Sequence, residues 1–222
     1  MTRGPYQIIK CPACGNCQLR NSLRSGNTFG ARYFSDGKRV APMLPEFPYF
    51  VKCAACSVFF KIDDKEIVGK IDRHDVLRDD LDKFAFVKFM SVDEYQQAIS
   101  EGLCNGDEWD FLSLRISLWM RYNDCHDWDR RYNADYRNSE KNEIEKRTLF
   151  DDNCHKILAI ISTQNDDESI LRKAELCRNL GEFNKCESLL NEIMNPEKYK
   201  TYILTIKAEC DAKNAFTVEV KK

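Results

Sequence analysis

Two cysteine pairs constrain this chain more than any other feature. Cys11-Pro12-Ala13-Cys14-Gly15 opens the N-terminal stretch and Cys53-Ala54-Ala55-Cys56 closes it, with 38 residues between, Gly15 to Lys52. Two Cys-x2-Cys pairs at this separation predict two tight turns gripping one tetrahedral ion, four thiolates around Zn²⁺ in a closed structural site. Gly15 suits such a turn, where the chain often needs positive φ. Cys17 continues the spacing as Cys11-x2-Cys14-x2-Cys17, so three cysteines compete for two places. The Cys14-Gly15 step fits the turn better, and Cys17 is set aside. Four thiolates leave no open coordination position, which argues against a catalytic metal.

The surroundings read as β structure. Tyr6–Lys10 enters the first cysteine turn as a strand, and the runs 47–52 and 57–62 flank the second. Between them lie the turn signals Gly26-Asn27, Asp36-Gly37 and Pro42-x-x-Pro45, with Phe29, Tyr33, Phe34 and Val40 as short-strand candidates. Residues 1–62 thus form a small β zinc-ribbon module. Residues 63–82 are strongly charged and read as a linker or an exposed helix. Phe84–Met90 is a strand candidate, and Ser91 with Glu94 makes a capping box for a helix through Ser100. Gly102 and Asn105-Gly106 end this connecting segment, 63–106.

From Asp107 the pattern becomes helical. Glu108–Tyr122 is apolar nearly all round, which predicts a central buried helix. A helix resumes near Glu143 with Phe150, Cys154, Ile157, Leu158 and Ile161 on one face. Three more follow at Glu168–Leu180, Glu182–Met194 and Lys198–Lys213. The helical domain spans 107–213, and the tail, 214–222, alternates like a strand or frays. The fold class is α+β.

Within the helices, Ile170 to Pro196 resembles a tetratricopeptide (TPR) repeat. Ala174, Gly181, Phe183, Cys186 and Pro196 fall close to that repeat's small, glycine, aromatic, small and proline positions. Cys186 stands where alanine is usual, Pro196 comes early, and the large aromatic that opens the repeat is absent. The order of parts also resembles a group of bacterial proteins in which a four-cysteine zinc ribbon precedes a TPR-like helical region. Ser25–Gly30, Asp36-Gly37-Lys38 and Ala41–Pro45 carry that likeness. The resemblance implies a non-catalytic protein that engages a protein or peptide on a helical surface, and it brings no activity with it.

Charge raises a second function. Residues 1–62 hold nine Lys/Arg against two acids, whereas the rest of the chain holds 25 against 34. A basic module of this kind is suited to nucleic acid through Lys10, Arg20, Arg24, Arg32, Lys38 and Arg39. It is equally suited to acidic protein, either the chain's own helical part or a partner, and that is the expectation favoured here. No apolar run approaches the ~18 residues of a membrane span, and the N-terminus lacks the apolar core of a secretory signal. Eleven cysteines are then read in a reducing cytoplasm. A cysteine-dependent enzyme is a third class. Cys125-His126 and Cys154-His155 cannot be dyads by themselves because adjacent helical residues point apart, so it would need Cys154 to reach His126. The plainer reading is core cysteines, with Cys104, Cys177, Cys186 and Cys210 as small hydrophobes. Arg115, Arg121, Trp128, Arg130, Arg131, Tyr132, Tyr136 and Arg137 form either a binding hot spot or a solvated face paired with Asp124, Asp127 and Asp129.

Overall fold

A computed structural model describes residues 1–74, 81, 83–124 and 143–221, the side chains of 143–146 aside. Among the described residues, small antiparallel sheets occupy the N-terminal part and six α-helices follow. The chain divides into two compact units, Met1–Ala31 with Ala41–Leu114, and Arg32–Val40 with Arg115–Lys222. These units cut across the divisions at 62 and 106. Residues 63–114 belong with the cysteine module, and the short insert Arg32–Val40 belongs with the helices.

In the first unit, strand β2 (Tyr6–Lys10) lies between β3 (Cys17–Arg20) and β9 (Ile67–Ile71), antiparallel to both. Strands β1 (Thr2–Arg3) and β4 (Leu23–Ser25) pair beside them, and β7 (Phe50–Lys52) with β8 (Phe59–Lys61) makes a second hairpin. Ile9, Val51, Phe60, Ile62 and Val87 pack with Cys11 and Cys53 into one apolar cluster. Helix α1 (Val92–Ser100) starts on the expected box. Glu94 N–H donates to Ser91 Oγ at 3.2 Å and Ser91 N–H to Glu94 Oε2 at 3.0 Å. Gly102, at φ +83°, turns the chain after it.

Two expectations fail here. The charged stretch after Ile62 is no mere linker. It holds a 3₁₀ turn, Asp64–Glu66, and then β9, which completes the central sheet. Its pattern was obscured by Gly69 and Lys70, but alternation puts Ile67 and Ile71 on one face while Val68 and Lys70 are exposed. Phe84–Met90 forms no regular strand. Only Phe86 makes a bridge, to Leu19, with Leu19 N–H donating to Ala85 O and Val87 N–H to Leu19 O.

In the second unit, β5 (Arg32–Tyr33) and β6 (Arg39–Val40) form a hairpin turned at Gly37, φ +83°. The helices are the second half of α2 (Glu108–Asp124), then α3 (Glu143–Ile160), α4 (Asp167–Asn179), α5 (Phe183–Leu190) and α6 (Lys200–Asp211). Helix α2 is less uniformly buried than its composition suggests. Leu112, Leu114, Leu118 and Trp119 are interior, but Trp109 in its first turn is 71% exposed. On α3 and just past its end, Phe150, Cys154, Ile157 and Ile161 are buried as expected, while Leu158 is only half-buried. Gly181, at φ +79°, joins α4 to α5 with almost no loop. Ala174 and Cys186 are fully buried in the cluster that binds α4, α5 and α6. Helix α5 is shorter than expected. The Asp167 carboxylate takes the N–H groups of Met194 (2.8 Å) and Asn195 (3.1 Å), which holds residues 194–195 outside any helix.

A buried ionic network runs through this unit. Glu175 and Arg178, one helical turn apart on α4, have no exposed side-chain surface. Arg178 Nε donates to Glu175 Oε2 (2.8 Å) and Nη2 to Oε1 (2.5 Å). Nη2 also donates to Ser35 Oγ, and Nη1 to the carbonyls of Asn214 and Phe216. Burial disfavours the charged guanidinium, and Glu175 beside it more than reverses that. Asn179 Oδ1 accepts from Trp119 Nε1 (2.9 Å) while its Nδ2 donates to Ala215 O (2.8 Å). The tail is therefore docked, not frayed. Val220 N–H donates to Tyr33 O, Ser35 N–H to Val218 O, and Val220 is buried.

Two predictions follow from this network. Removing residues 215–222 deletes the Phe216 acceptor and the Val220 contact. It should cost about 2 kcal/mol, roughly 4–8 °C in melting temperature; an unchanged thermal midpoint would show that the tail adds no stability. Arg178→Met strands a buried carboxylate and should cost about 3–5 kcal/mol. In urea titrations, Glu175→Leu combined with Arg178→Met should lose less than the sum of the two single changes.

Candidate metal centre

Strands β2 and β3 carry the first cysteine pair between them, and β7 and β8 the second. The turns are built alike. Cys11 N–H donates to Asn16 O and Gly15 N–H to Cys11 O; at the second turn Cys53 N–H donates to Val58 O and Ser57 N–H to Cys53 O, all at 2.9–3.0 Å. Gly15 and Ser57 occupy equivalent places and both have positive φ, +74° and +63°. The sequence reveals the first by its glycine and conceals the second.

This repetition brings four sulfurs together. Cys11, Cys14, Cys53 and Cys56 have all their Sγ atoms within 4.8 Å of one another, close enough to bind a metal ion. Cys11 Sγ lies 3.7 Å from Cys56 Sγ, and Cys14 Sγ 3.7 Å from Cys53 Sγ. Four thiolates at ~2.3 Å from a central tetrahedral ion would stand ~3.8 Å apart. Cys17 is outside the group, and its sulfur points to Gly15 O at 3.8 Å.

Electrostatics favour a cation at the centre. Burial raises the Cys53 thiol, but the N–H groups of Cys56 and Ala55 aimed at its sulfur bring it down to about 7. At Cys56 the Val58 N–H pulls down, and burial with the sulfurs of Cys14, Cys53 and Cys11 drives the thiol to about 12. Burial raises Cys11 too. The backbone thus prepares the cluster to lose a proton, while the sulfurs oppose one another's ionisation unless a positive ion is shared.

Cys11 and Cys53 are buried in the apolar cluster, Cys14 is exposed, and Cys56 is intermediate. One contributor has no sequence signature. Gln18 on β3 is buried, and its Oε1 accepts from Ala54 N–H at 3.1 Å, tying the first hairpin to the second turn. Outer-shell bonds of this type orient metal ligands, but a lone glutamine between Cys17 and Leu19 gives no hint of it.

The other candidates are dispersed. Cys154, Cys177, Cys186 and Cys210 are buried core residues, and burial raises their thiols, Cys177 to about 11. That shift works against thiolate character at each of them. Cys104 sits on no helical stripe. It lies in a turn at φ +68°, and burial followed by the Asp110 charge pushes it to about 11. Cys125 and His126 lie outside the described residues, as do Trp128, Arg130, Arg131, Tyr132, Tyr136 and Arg137. Of that cluster, Arg121 lies 3.7 Å from Asp124, and Arg115 donates to Asn153.

The basic side chains of residues 1–62 are largely engaged by acids of the same unit. Arg24 pairs with Asp72, Lys52 with Glu94 and Lys61 with Asp110 in the first unit; Arg32 pairs with Glu219 and Lys38 with Asp124 in the second. No helix among the described residues is long and apolar enough to cross a membrane. No family model, curated protein or solved structure matches this chain.

The paired turns generate a test. Ser57 holds a left-handed conformation that glycine adopts freely, so Ser57→Gly should be neutral or stabilising, by up to about 1 kcal/mol. Gly15→Ala should destabilise by a similar amount. Thermal melting of both variants checks this, and equal losses would show that Ser57 is held there by its side chain.

Proposed function

We propose that Cys11, Cys14, Cys53 and Cys56 hold one Zn²⁺ as a structural ion of a zinc ribbon, and that the chain is a non-catalytic protein-interaction module. The observation that carries the metal part is the convergence of four sulfurs from two turns of matching backbone geometry. Zinc is preferred because a closed four-thiolate site is its usual structural setting. A thiolate-ligated iron would occupy the same geometry and is separated by its visible absorption. The ion fastens the two hairpins whose turns supply the sulfurs, and its binding adds to the cohesion of the apolar cluster around Cys11 and Cys53.

The interaction part rests on the helices. The α4–α5 pair, its Gly181 turn and the buried small residues Ala174 and Cys186 support the TPR-like reading. Leu204 on α6, 61% exposed, gives that unit an apolar contact point open to solvent. The alternative, nucleic acid on the basic module, loses ground because Arg24, Arg32 and Lys38 already have acidic partners.

Elemental analysis should find one zinc per chain and no absorption typical of thiolate-bound iron. Cys53→Ser should lose the zinc and loosen the first unit while leaving helical circular dichroism largely intact; full zinc retention would overturn the metal assignment. For the helices, Leu204→Glu should abolish capture of a partner that wild type retains. Capture unaffected by Leu204→Glu but lost with Arg20→Glu and Arg24→Glu, and sensitive to nuclease, would favour nucleic acid.

A further inference from the structure

A groove of ~530 Å³ opens in the first unit between the end of β3 and the segment 45–47. Arg20 lines one side. Its Nε donates to Gln7 Oε1 (2.9 Å) and one Nη1 hydrogen to Pro48 O (3.4 Å), both neutral oxygens. It meets no carboxylate among the described residues, although the rest of the side chain is half-buried. Burial accordingly lowers its hold on the proton. The Nη2 edge and the second Nη1 hydrogen remain for an acceptor. Leu23, Pro45 and Phe47 form apolar walls, and Asn21 stands at the rim with its Oδ1 occupied by Arg73 Nη2 (2.6 Å) and its Nδ2 left as a donor.

The charges nearby select one anionic group over many. Arg24 is paired with Asp72. Arg73 stacks on Tyr6, 3.9 Å from the ring centroid, and donates to Gly4 O. Glu46 lines the same groove and repels a second negative charge. A run of phosphates needs several uncommitted cations, whereas a single carboxylate needs one guanidinium edge, which it meets with two parallel hydrogen bonds.

We propose that this groove seats an extended peptide segment of a partner protein, an acidic side chain on the Arg20 guanidinium and flanking apolar residues against Leu23, Pro45 and Phe47. It rests on the protein-interaction reading only in that the ligand is a peptide, and it adds a second, chemically defined surface to the helical one.

The test is titration of the 222-residue chain, prepared with zinc, followed by backbone amide NMR, with two randomised blocked pentapeptide pools. One pool has Asp fixed at the centre and the other Asn. The Asp pool should shift resonances of residues 20–23 and 45–47 saturably, and the Asn pool should bind about ten-fold more weakly. Arg20→Gln should erase the difference, and Lys65→Gln, outside the groove, should preserve it. Glu46→Lys leaves Arg20 untouched and should tighten the Asp pool alone, which guards against a folding defect in Arg20→Gln. Equal binding of the two pools, or no saturable shift at these residues, overturns the proposal. Saturation by a thymidine octanucleotide in place of the Asp pool reassigns the groove to phosphate. Resonances of 167–211 report on the helical surface separately, so failure in the groove is distinguishable from failure of the interaction reading.

Discussion

Arg178 has five N–H groups, and each meets an oxygen although the side chain is out of contact with solvent. That full satisfaction is the condition on which the second unit rests. A buried charge is tolerated only when it is paired and its remaining donors are used. Glu175 answers the charge, and the carbonyls of Asn214 and Phe216 with the Ser35 hydroxyl answer the rest. The hairpin 32–40 and the tail are held where they are because they bring these acceptors. Trp119 and Asn179 extend the same logic, an indole N–H buried with its acceptor in place. The apolar cluster around Cys177, Cys186 and Cys210 supplies non-directional cohesion; the polar network supplies geometry.

What could be read in advance was local. The cysteine turns, the Ser91–Glu94 box and the Gly181 turn each depend on residues a few positions apart, and each is present. What escaped was long-range. Strand β9 forms because β2 offers an edge some sixty residues earlier, and no pattern within 67–71 announces that. Glu175 and Arg178 have the spacing of an ordinary exposed helical pair; only Ser35 and the tail, remote in sequence, make them interior. Trp109 errs in the other direction, an aromatic in an apolar helix that the packing leaves outside. At the candidate metal centre the four converging cysteines were legible and what supports their turns was not. Ser57 and Gln18 act through backbone conformation and a single hydrogen bond, for which composition carries no signal.

The charge imbalance has a physical account as well. Five basic residues of the first 62 meet acids from beyond residue 62, three of them within the first unit and two, on the hairpin 32–40, within the second. Partly exposed pairs of this kind contribute little each, so their effect is on register more than on stability. Lys38 differs, since its partner Asp124 is buried beside Asn123, whose amide bonds Asp36. Arg20 differs again, a half-buried guanidinium that meets no carboxylate among the described residues.

The reach of these contacts has a consequence for synthesis. Ser35 bonds Glu175 across 140 residues, and Val218 bonds Ser35 across 183. The strand pairings of the first unit need nothing beyond residue 71, whereas the hairpin 32–40, paired with itself, lacks Glu175 and residues 218–220 until these have been made. That hairpin must wait through the whole of the helical region. Arg178, already carried in a helix, waits for Asn214 and Phe216. The sheets of the first unit can therefore form early, and the network of the second only after residues 214–220 have been made. The interval between them is the period in which a buried charge and the apolar residue Phe34 stand open to water and to other chains.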